Sequence, residues 1–466
     1  MSLFGALNSA TAGLRMIQTH VKLVSDNVAQ ADDPDRTRHT MRRTTDSTGS
    51  SILASFSRQT DTALRIKLEE STARDGGDST RNVYMKKVSD LLGASQGSPQ
   101  ISELAQKFAD AWRQLETTPE NDTAQREVIQ LGDRLATEIK RVAGEVESLD
   151  NDIRENTANS IDELNRLTTE LEKINADIAY VNTRGEPTED LLDKRDALVK
   201  QINEMVGVRT MERSDGRISV FTTSGLTLVD VTATQLRYDG QNITVPNAPE
   251  LPVNNQIRDG KISALLEMRY DGSKLNPPQP ASGRPTAEII RKLRGQLDTL
   301  AQAYTAPAKD GQPTSFAQAY DQAATKDGEL QYQFFSGGDR FSLSVAHELV
   351  TGTAKIKKDG IKAAADAILD TGRQFKTDGL AVSEGSYATL ANGIVGVWMS
   401  AGRSVSETAS VSSETKALIE TRHHNETGVN IDEEVAHLQV LQTSYAATAR
   451  VVQTINAMFE ALERAV

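Results

Sequence analysis

The sequence contains no cysteine and few aromatic residues, and both shortages limit what the chain can be. Without cysteine, disulfide bonds, thiolate catalysis, zinc–thiolate sites and iron–sulfur clusters are excluded. Aromatic residues make up only 5% of the 466 positions, so we expect no large aromatic core and burial mainly through Leu, Ile, Val and Ala on helices. The formal net charge of -13 argues against a protein that coats nucleic acid through a global basic field.

Long hydrophobic runs are also missing. No window of about 18 uninterrupted apolar residues occurs, so the sequence predicts no transmembrane helix. The N-terminal segment lacks a basic start, a continuous apolar block and a cleavage site of small residues, and so it does not read as a Sec signal peptide. At roughly 150 residues per domain, the length allows about three domains.

The two ends of the chain carry the strongest periodicity, with apolar residues in alternating steps of three and four. This heptad spacing predicts one amphipathic helix at each end. The N-terminal stripe consists of Leu3, Leu7, Ala10, Leu14, Ile17, Val21, Val24 and Val28. The C-terminal stripe consists of Leu438, Leu441, Tyr445, Thr448, Val452, Ile455, Phe459, Leu462 and Val466. Asn430 can cap the second helix, with Glu433 three residues later.

Each terminal helix has an apolar stripe and no neighbouring element to cover it. We therefore expect the two stripes to pack on each other or on neighbouring subunits, and separate docking of each end on the central body is the alternative. Chain direction makes the pair antiparallel within one subunit. Leu3 should then lie near the region of Leu462 and Val466, and Leu14 or Ile17 should lie near Val452 or Ile455. The register could slip by one heptad, because Thr448 is the only polar position that marks it.

The segment after the first helix changes character. Residues 31–60 are rich in Asp, Thr, Ser and Arg and are predicted to be an extended or loop segment. We interpret its short basic cluster as a solvated surface stretch rather than a nucleic-acid site, and the cluster consists of Arg36, Arg38, Arg42 and Arg43. Residues 61–92 look mixed, with a helical pattern that resumes near Val83.

A series of long helices follows. Apolar periodicity predicts a helix after Pro99 that ends at Pro119, an unbroken helix from about 125 to 181, and a return helix that ends at Gly207. After Gly207 the apolar residues recur at every second position, which is typical of β-strands. This spacing predicts a β-hairpin with its turn at Asp215 and Gly216.

The rest of the chain is more irregular. Residues 240–285 are rich in proline and are predicted to be loop or strand, residues 286–305 are predicted to be helical, and residues 346–427 helical in patches. Residues 306–345 are predicted to form a small mixed or β-containing excursion. The expected fold class is therefore mainly α with a smaller β-containing part: an elongated protein with paired, coiled-coil-like terminal helices, a long-helix shaft and a mixed middle domain.

This layout predicts three domains. Residues 1–60 with 425–466 should form a terminal helical assembly domain. Residues 61–305 with 346–424 should form a long-helix shaft domain with a β-hairpin, and residues 306–345 a small variable middle excursion.

No chemical motif fits its sequence context. The run Gly93–Gly97 spells G-x-S-x-G, but a nucleophile elbow needs a strand before it and a helix directly after it, whereas here a helix precedes and Pro99 follows. None of the six histidines belongs to an H-E-x-x-H motif, and His423 and His424 point to different sides of a helix. The sequence therefore predicts no catalytic residue, no cofactor and no metal site.

The termini resemble those of the flagellar axial proteins, the rod, hook and hook-associated proteins. At the N-terminus the matching residues are Ala12-Gly13-Leu14 and Ser25-Asp26-Asn27-Val28-Ala29. At the C-terminus they are Gly428-Val429-Asn430-Ile431-Asp432-Glu433-Glu434, then Leu438, Gln442, Tyr445, Ala449–Thr454 and Phe459. The C-terminal run is more similar to a hook-associated junction protein than to a hook or rod protein. The chain departs from the family after the first helix, where a Pro-Gly-Tyr-like turn is replaced by Asp33–Arg38.

The resemblance implies a structural protein of the bacterial flagellum and not an enzyme. Such a protein is secreted through the flagellar type III apparatus and polymerises at the distal end of the hook, where it joins hook and filament. The implied partners are further copies of the chain, the hook protein, a second hook-associated junction protein and an export chaperone, with neither nucleic acid nor membrane insertion. A hook or rod protein is the alternative within the family, and an enzyme or adaptor built on a helical shaft is the alternative from another class.

The terminal stripes are the expected assembly interface. Its candidate residues are Leu3, Leu7, Leu14, Ile17, Val21, Val24, Leu438, Leu441, Tyr445, Val452, Ile455, Phe459 and Leu462.

Overall fold

A computed structural model of the chain describes residues 3–45, 52–93, 100–271, 284–307, 313–324, 333–380 and 382–465. The described residues are mainly helical with a few small sheets, which confirms the predicted mainly-α class with a smaller β part. In the described residues, no helix is both long enough and apolar enough to cross a membrane.

The helices follow one another along most of the chain. They are α1 (Leu3–Ala29), α2 (Thr62–Leu92), α3 (Ile101–Thr117), α4 (Asp122–Thr183), α5 (Glu189–Met205), α6 (Gly260–Arg269), α7 (Ile289–Thr305), α8 (Phe316–Ala324), α9 (His347–Val350), α10 (Lys358–Leu369), α11 (Tyr387–Thr427) and α12 (Ile431–Ala465). The unbroken α4, with 62 residues, is the long helix that the apolar periodicity predicts.

The strands form small antiparallel sheets. They are β1 (His39–Thr45), β2 (Ile52–Arg58), β3 (Val208–Glu212), β4 (Ile218–Thr222), β5 (Thr227–Val229), β6 (Arg237–Tyr238), β7 (Ile243–Thr244), β8 (Phe335–Ser336) and β9 (Ser344–Val345). The sheet orders are β1-β2, β3-β4-β5, β6-β7 and β8-β9. The β3-β4 hairpin is the one that the sequence predicts around Asp215 and Gly216.

One stretch fits one alternative of the expectation and two stretches differ from it. Residues 31–60 contain the antiparallel strands β1 and β2, which fits the extended alternative, whereas α6 lies inside the proline-rich stretch predicted to be loop or strand. Residues 61–92 form one continuous helix, although two glycines interrupt the pattern. A Cβ atom on Gly76 would lie 2.4 Å from the backbone oxygen of Glu204, so this glycine lets α2 approach the end of α5 and close packing outweighs its poor helix propensity.

The chain folds into two compact units, each assembled from separate segments. Unit 1 comprises residues 1–77, 160–261 and 411–466, and unit 2 comprises residues 78–159 and 262–410. The three-part division into a terminal domain, a shaft and a middle excursion stays a prediction.

Unit 2 has an aromatic core, and the expectation that none would form is wrong. Its members are Phe108, Trp112, Tyr304, Phe316, Tyr320, Phe334, Phe335 and Tyr387, all buried. Phe108 is central, with ring-centroid distances of 5.6 Å to Phe334 and 5.5 Å to Phe335. Composition gives the number of aromatic residues but not their positions, and here helices α3, α7 and α8 bring them together.

Gly132 on α4 provides a test of this packing. A Cβ atom there would lie 2.8 Å from Cε1 of Phe334 and 3.1 Å from Cε2 of Phe108. We expect Gly132→Ala to lower the free energy of unfolding by about 1–3 kcal/mol through overpacking. Urea unfolding followed by tryptophan fluorescence measures this effect, because both tryptophans, Trp112 and Trp398, belong to unit 2.

Gly144→Ala is the matched control on the same helix. A Cβ atom at Gly144 meets no other atom within 4 Å, so this change should instead raise the free energy of unfolding by up to about 1 kcal/mol through helix propensity. Equal stabilisation by both substitutions would contradict the packing described for Gly132.

Candidate assembly site: the paired terminal helices and their polar base

The first and last helices of the chain pack against each other in antiparallel directions within unit 1. The rings of Phe4 and Phe459 meet edge to face at 5.3 Å between centroids. A Cβ atom on Gly13 would lie 3.9 Å from Cγ2 of Thr448, and Nδ2 of Asn27 lies 3.3 Å from Oε2 of Glu434. These contacts fix both the direction of the pair and its register, by which we mean the residues that lie opposite each other.

The α1 stripe lies in the seam. Ala10, Ile17 and Val24 are buried, and the remaining members are half-buried: Leu3, Leu7, Leu14, Val21 and Val28. The heptad spacing therefore identifies the α1 side of the pair.

The α12 stripe is covered less completely. Ile455 is buried, and Leu438, Leu441, Val452 and Phe459 are half-buried. Tyr445 is 41% exposed and Leu462 is 62% exposed. Leu462 lies beyond the residues that α1 can cover, because Phe459 is already opposite Phe4 near the start of α1.

The register differs from the sequence-based expectation. Thr448, rather than Val452 or Ile455, lies opposite the Gly13–Leu14 step. Leu3 is accordingly nearer to Phe459 than to Leu462, and Val466 lies outside the described residues. Repeating heptads fit each other almost equally well after a shift, so apolar spacing alone could not choose among registers.

A polar base lies where α1 ends and α12 begins. We use the name polar base for Asn27, Arg36, Thr37, Arg38, His39, Arg58, Asp193 and Glu434. The interpretation of the basic cluster as a solvated stretch is wrong for two of its members: Arg36 is only 7% exposed and pairs with Asp190, and Arg38 pairs with Glu434. Arg42 is exposed, and the side chain of Arg43 lies outside the described residues.

Asp193 on α5 binds three members of the polar base: Thr37, His39 and Arg58. Its carboxylate accepts hydrogen bonds from Oγ1 of Thr37 at 2.7 Å and from Nη1 of Arg58 at 2.7 Å. His39 contacts the same carboxylate through Nε2 at 2.9 Å and contacts Nη2 of Arg36 through Nδ1 at 3.0 Å. Because a guanidinium group can only donate, Nδ1 of His39 is the acceptor and Nε2 carries the proton donated to Asp193.

The surroundings of Asp193 favour its ionised form. Burial alone would raise the pKa of this carboxyl, but the hydrogen bonds from His39, Thr37 and Arg58 outweigh burial, so the pKa lies below its ordinary value. The first strand is thereby tied to α5 by a carboxylate that is charged at neutral pH.

Glu434 on α12 binds two further members of the polar base: Asn27 and Arg38. Nε of Arg38 donates to Oε1 of Glu434 at 2.7 Å, and the backbone N–H of Arg38 donates to the carbonyl of Thr427 at 2.8 Å. Asn27 also donates from Nδ2 to the carbonyl of His39 at 2.9 Å. Asn430 accepts from the backbone N–H of Asp432 at 3.0 Å, which confirms the predicted cap of α12.

A second apolar surface runs along α12 beside the seam. We call it the outer stripe, and it consists of Val440, Val451, Met458 and Leu462, each more than half exposed. From Val440 to Leu462 the spacings are multiples of three to four residues, so these side chains share one face of the helix. From Val435 to Phe459, Arg450 is the only residue with a formal charge at neutral pH. The outer stripe is thus exposed, apolar and almost free of charge.

The sequence reasoning missed most of the polar base. The run Asp33–Arg38 signalled a turn, but nothing local in it indicated a partner on α5 or α12. The signal that could have found the base is the Asp-Lys-Arg-Asp run at 193–196 together with paired Glu433 and Glu434, which supply carboxylates for buried arginines. In the part of the chain that the structure describes, no group of three or more His, Cys, Asp or Glu side chains is arranged to hold a metal ion. Most of the G-x-S-x-G run lies outside the described residues.

Comparison with known proteins identifies related chains. Residues 85–312 match the model of the flagellar hook-associated protein FlgK helical domain, and residues 425–465 match that of the flagellar basal body rod FlgEFG protein C-terminal region. The flagellar hook-associated protein 1 of Escherichia coli (strain K12) is 24% identical in an alignment 549 residues long. The alignment covers 98% of this chain and 98% of that protein. The flagellar hook-associated protein 1 of Bacillus subtilis (strain 168) is 21% identical over 394 residues, covering 76% and 73%.

A solved structure is also similar. The flagellar hook junction protein FlgK from Burkholderia pseudomallei aligns with 18% identity and a TM-score of 0.45, over 59% of this chain and 47% of that one.

Substitution of Asp193 tests the polar base. At neutral pH we expect Asp193→Asn to lower the free energy of unfolding by about 3 kcal/mol, because it leaves buried guanidinium groups without their anion. The stability that this carboxylate contributes is present above its unfolded-state pKa, about 3.9, and is lost as the pH falls through the lower folded-state value. The difference between the two proteins should therefore shrink below about pH 4.

Urea unfolding followed by circular dichroism at several pH values measures this difference, and hydrogen exchange of β1 and β2 locates it. Asp190→Asn is the control, since Asp190 pairs with Arg36 but its side chain is largely exposed, and its loss should cost less than about 1 kcal/mol. Equal losses for the two variants would contradict the central position of Asp193.

Proposed function

This chain belongs to the family of flagellar hook-associated protein 1, and we propose that it is a structural protein that joins the hook to the filament of the bacterial flagellum. The similarity extends over nearly the whole length of the chain. Shared terminal helices alone would have left a hook or rod protein as an equal candidate. The match of residues 85–312 to a hook-associated helical domain favours the junction protein over that alternative.

The outer stripe of α12 is the observation that carries the molecular part of the proposal. A chain with a net charge of -13 has an almost uncharged apolar face along its last helix. Burial of apolar surface is favourable by about 25 cal/mol per Å², so neighbouring subunits gain free energy by covering this face. We infer that polymerisation occurs through the terminal helices.

The seam and the outer stripe of the terminal pair have different roles in this proposal. The seam holds α1 and α12 together, which makes Leu14, Ile17 and Ile455 supports of the interface rather than contacts with neighbours. The outer stripe, together with the exposed ring of Tyr445, provides the contacts between subunits. Leu462 belongs to both the predicted interface and the outer stripe.

The partners follow from the position of such a protein. Further copies of this chain form the junction zone, with the hook protein on one side and a second hook-associated junction protein on the other. Before assembly an export chaperone covers the apolar terminal helix, and the chain leaves the cell through the flagellar type III apparatus. These partners and this route are our inference from the family. The family consists of structural flagellar proteins, which argues against an enzyme.

Substitution of the outer stripe tests the proposal. We expect a chain with Val451→Ser and Met458→Ser to be secreted and to keep the α1–α12 pair, because both side chains are exposed in the isolated chain. Loss of apolar burial between subunits should prevent junction formation, so cells should carry hooks without filaments. Electron microscopy of the cells and assay of the secreted protein measure the two effects.

Leu251→Ser is the control, since Leu251 is even more exposed than Val451 and Met458 but lies outside the terminal helices. That strain should make normal filaments. Normal filaments in the Val451 and Met458 variant would contradict the role of the outer stripe, and normal filaments in a strain that lacks the whole chain would contradict the junction function itself.

A further inference from the structure

The paired terminal helices need something that selects one register. Both stripes repeat every seven residues, so a slide of one heptad again places apolar residues opposite apolar residues. Polar side chains at seam positions are the usual means of excluding such slides, because a wrong register leaves them without partners. Thr448 is too small and too easily satisfied by its own helix, since Oγ1 donates to the carbonyl of Ser444 at 2.8 Å.

We propose that Glu434 determines the register of the α1–α12 pair. The proposal goes beyond the junction function and does not depend on it. Glu434 continues the α12 heptad stripe, seven residues before Leu441, and it is only 1% exposed. A carboxylate therefore occupies a seam position where the stripe would otherwise have an apolar residue.

Both oxygens of Glu434 are used, and their partners belong to different segments. Oε2 accepts from Nδ2 of Asn27 at 3.3 Å, and Oε1 accepts from Nε of Arg38 at 2.7 Å. Asn27 is itself buried and is fixed by His39, whose carbonyl accepts from Nδ2 and whose backbone N–H donates to Oδ1 at 3.3 Å. The site that receives the carboxylate is therefore held in place by the backbone of the first strand.

A slide of one heptad destroys this arrangement in either direction. In one direction Leu441 would lie opposite Asn27, and Glu434 would pass the end of α1. In the other direction Glu434 would lie opposite His20, and Asn27 would lie opposite Thr427, before α12 begins. Either slide removes the carboxylate from Asn27 and Arg38, and a buried charge without its partners is strongly unfavourable.

Glu433 provides an internal comparison. It pairs with the same Arg38, through Nη1 at 3.1 Å, but its side chain is 58% exposed. Water can solvate Glu433 in any register, so this residue does not discriminate among registers. Glu433 and Glu434 both lie close to Arg38, but only Glu434 is buried at a seam position.

Disulfide formation can measure the register directly, because the chain has no native cysteine. Gly13→Cys is combined with Leu441→Cys, Thr448→Cys or Ile455→Cys in the purified full-length chain. The pair 13–448 reports the observed register, since a Cβ atom on Gly13 would lie 3.9 Å from Cγ2 of Thr448, which makes these two positions neighbours across the seam. The pairs 13–441 and 13–455 report slides of one heptad. Intrachain products are quantified after oxidation at high dilution.

With Glu434 present, we expect only the 13–448 product. Glu434→Leu should fill the seam in every register and so allow the pair to slide, with a 13–455 or 13–441 product appearing at the expense of 13–448. Glu434→Gln keeps an acceptor oxygen for Arg38 but loses the one for Asn27, so 13–448 should remain the main product. Glu433→Leu should leave the product unchanged. Circular dichroism verifies that each variant remains helical.

Three results would overturn the proposal. The 13–448 product could remain the single product in Glu434→Leu, which would show that another feature sets the register. All three products could disappear in Glu434→Leu, which would show that the residue stabilises the pair without selecting its register. Glu433→Leu could shift the products as Glu434→Leu does, which would show that charge near Arg38 matters and burial does not.

Discussion

Two buried carboxylates hold together parts of unit 1 that the chain order separates widely. Asp193 binds Thr37, which is 156 positions away, and Glu434 binds Arg38, which is 396 positions away. Both carboxylates meet the short segment that follows α1, so this segment joins the first helix, the last helix and α5. Buried ionic groups of this kind contribute little net stability relative to apolar residues of the same shape, but a wrong arrangement leaves them unpaired. Their contribution is therefore to define one geometry.

The apolar contacts of the terminal pair, unlike the two buried carboxylates, contribute stability rather than a specific geometry. The seam between α1 and α12 is made of aliphatic side chains and supplies free energy without strong directional preference. The outer stripe continues this apolar surface onto a face that the isolated chain leaves exposed. In the junction that we propose, such a face gives neighbouring subunits an apolar surface to bury.

Much of the fold follows from local patterns in the sequence. Heptad spacing located α1 and α12, a long apolar period located α4, and Asp-Gly at 215–216 located the β3-β4 hairpin. The same reasoning failed where the deciding contacts are distant. Residues 61–92 looked mixed because the local sequence does not show the close approach of Gly76 to α5, and the aromatic residues of unit 2 were too few to suggest the cluster that they form around Phe108.

The sequence by itself determined which faces of the terminal helices are apolar, that those helices run antiparallel, and which family the chain resembles, since each depends on residue order or on short motifs. Only the tertiary structure decided the register of the pair and the burial of Arg36, Arg38 and His39. Heptad repeats are degenerate with respect to shifts of seven residues, and a short polar segment shows no sign of partners hundreds of positions away. The physical reason is that periodic apolar patterns encode a surface, whereas a specific alignment requires polar groups whose partners are brought close only by the folded chain.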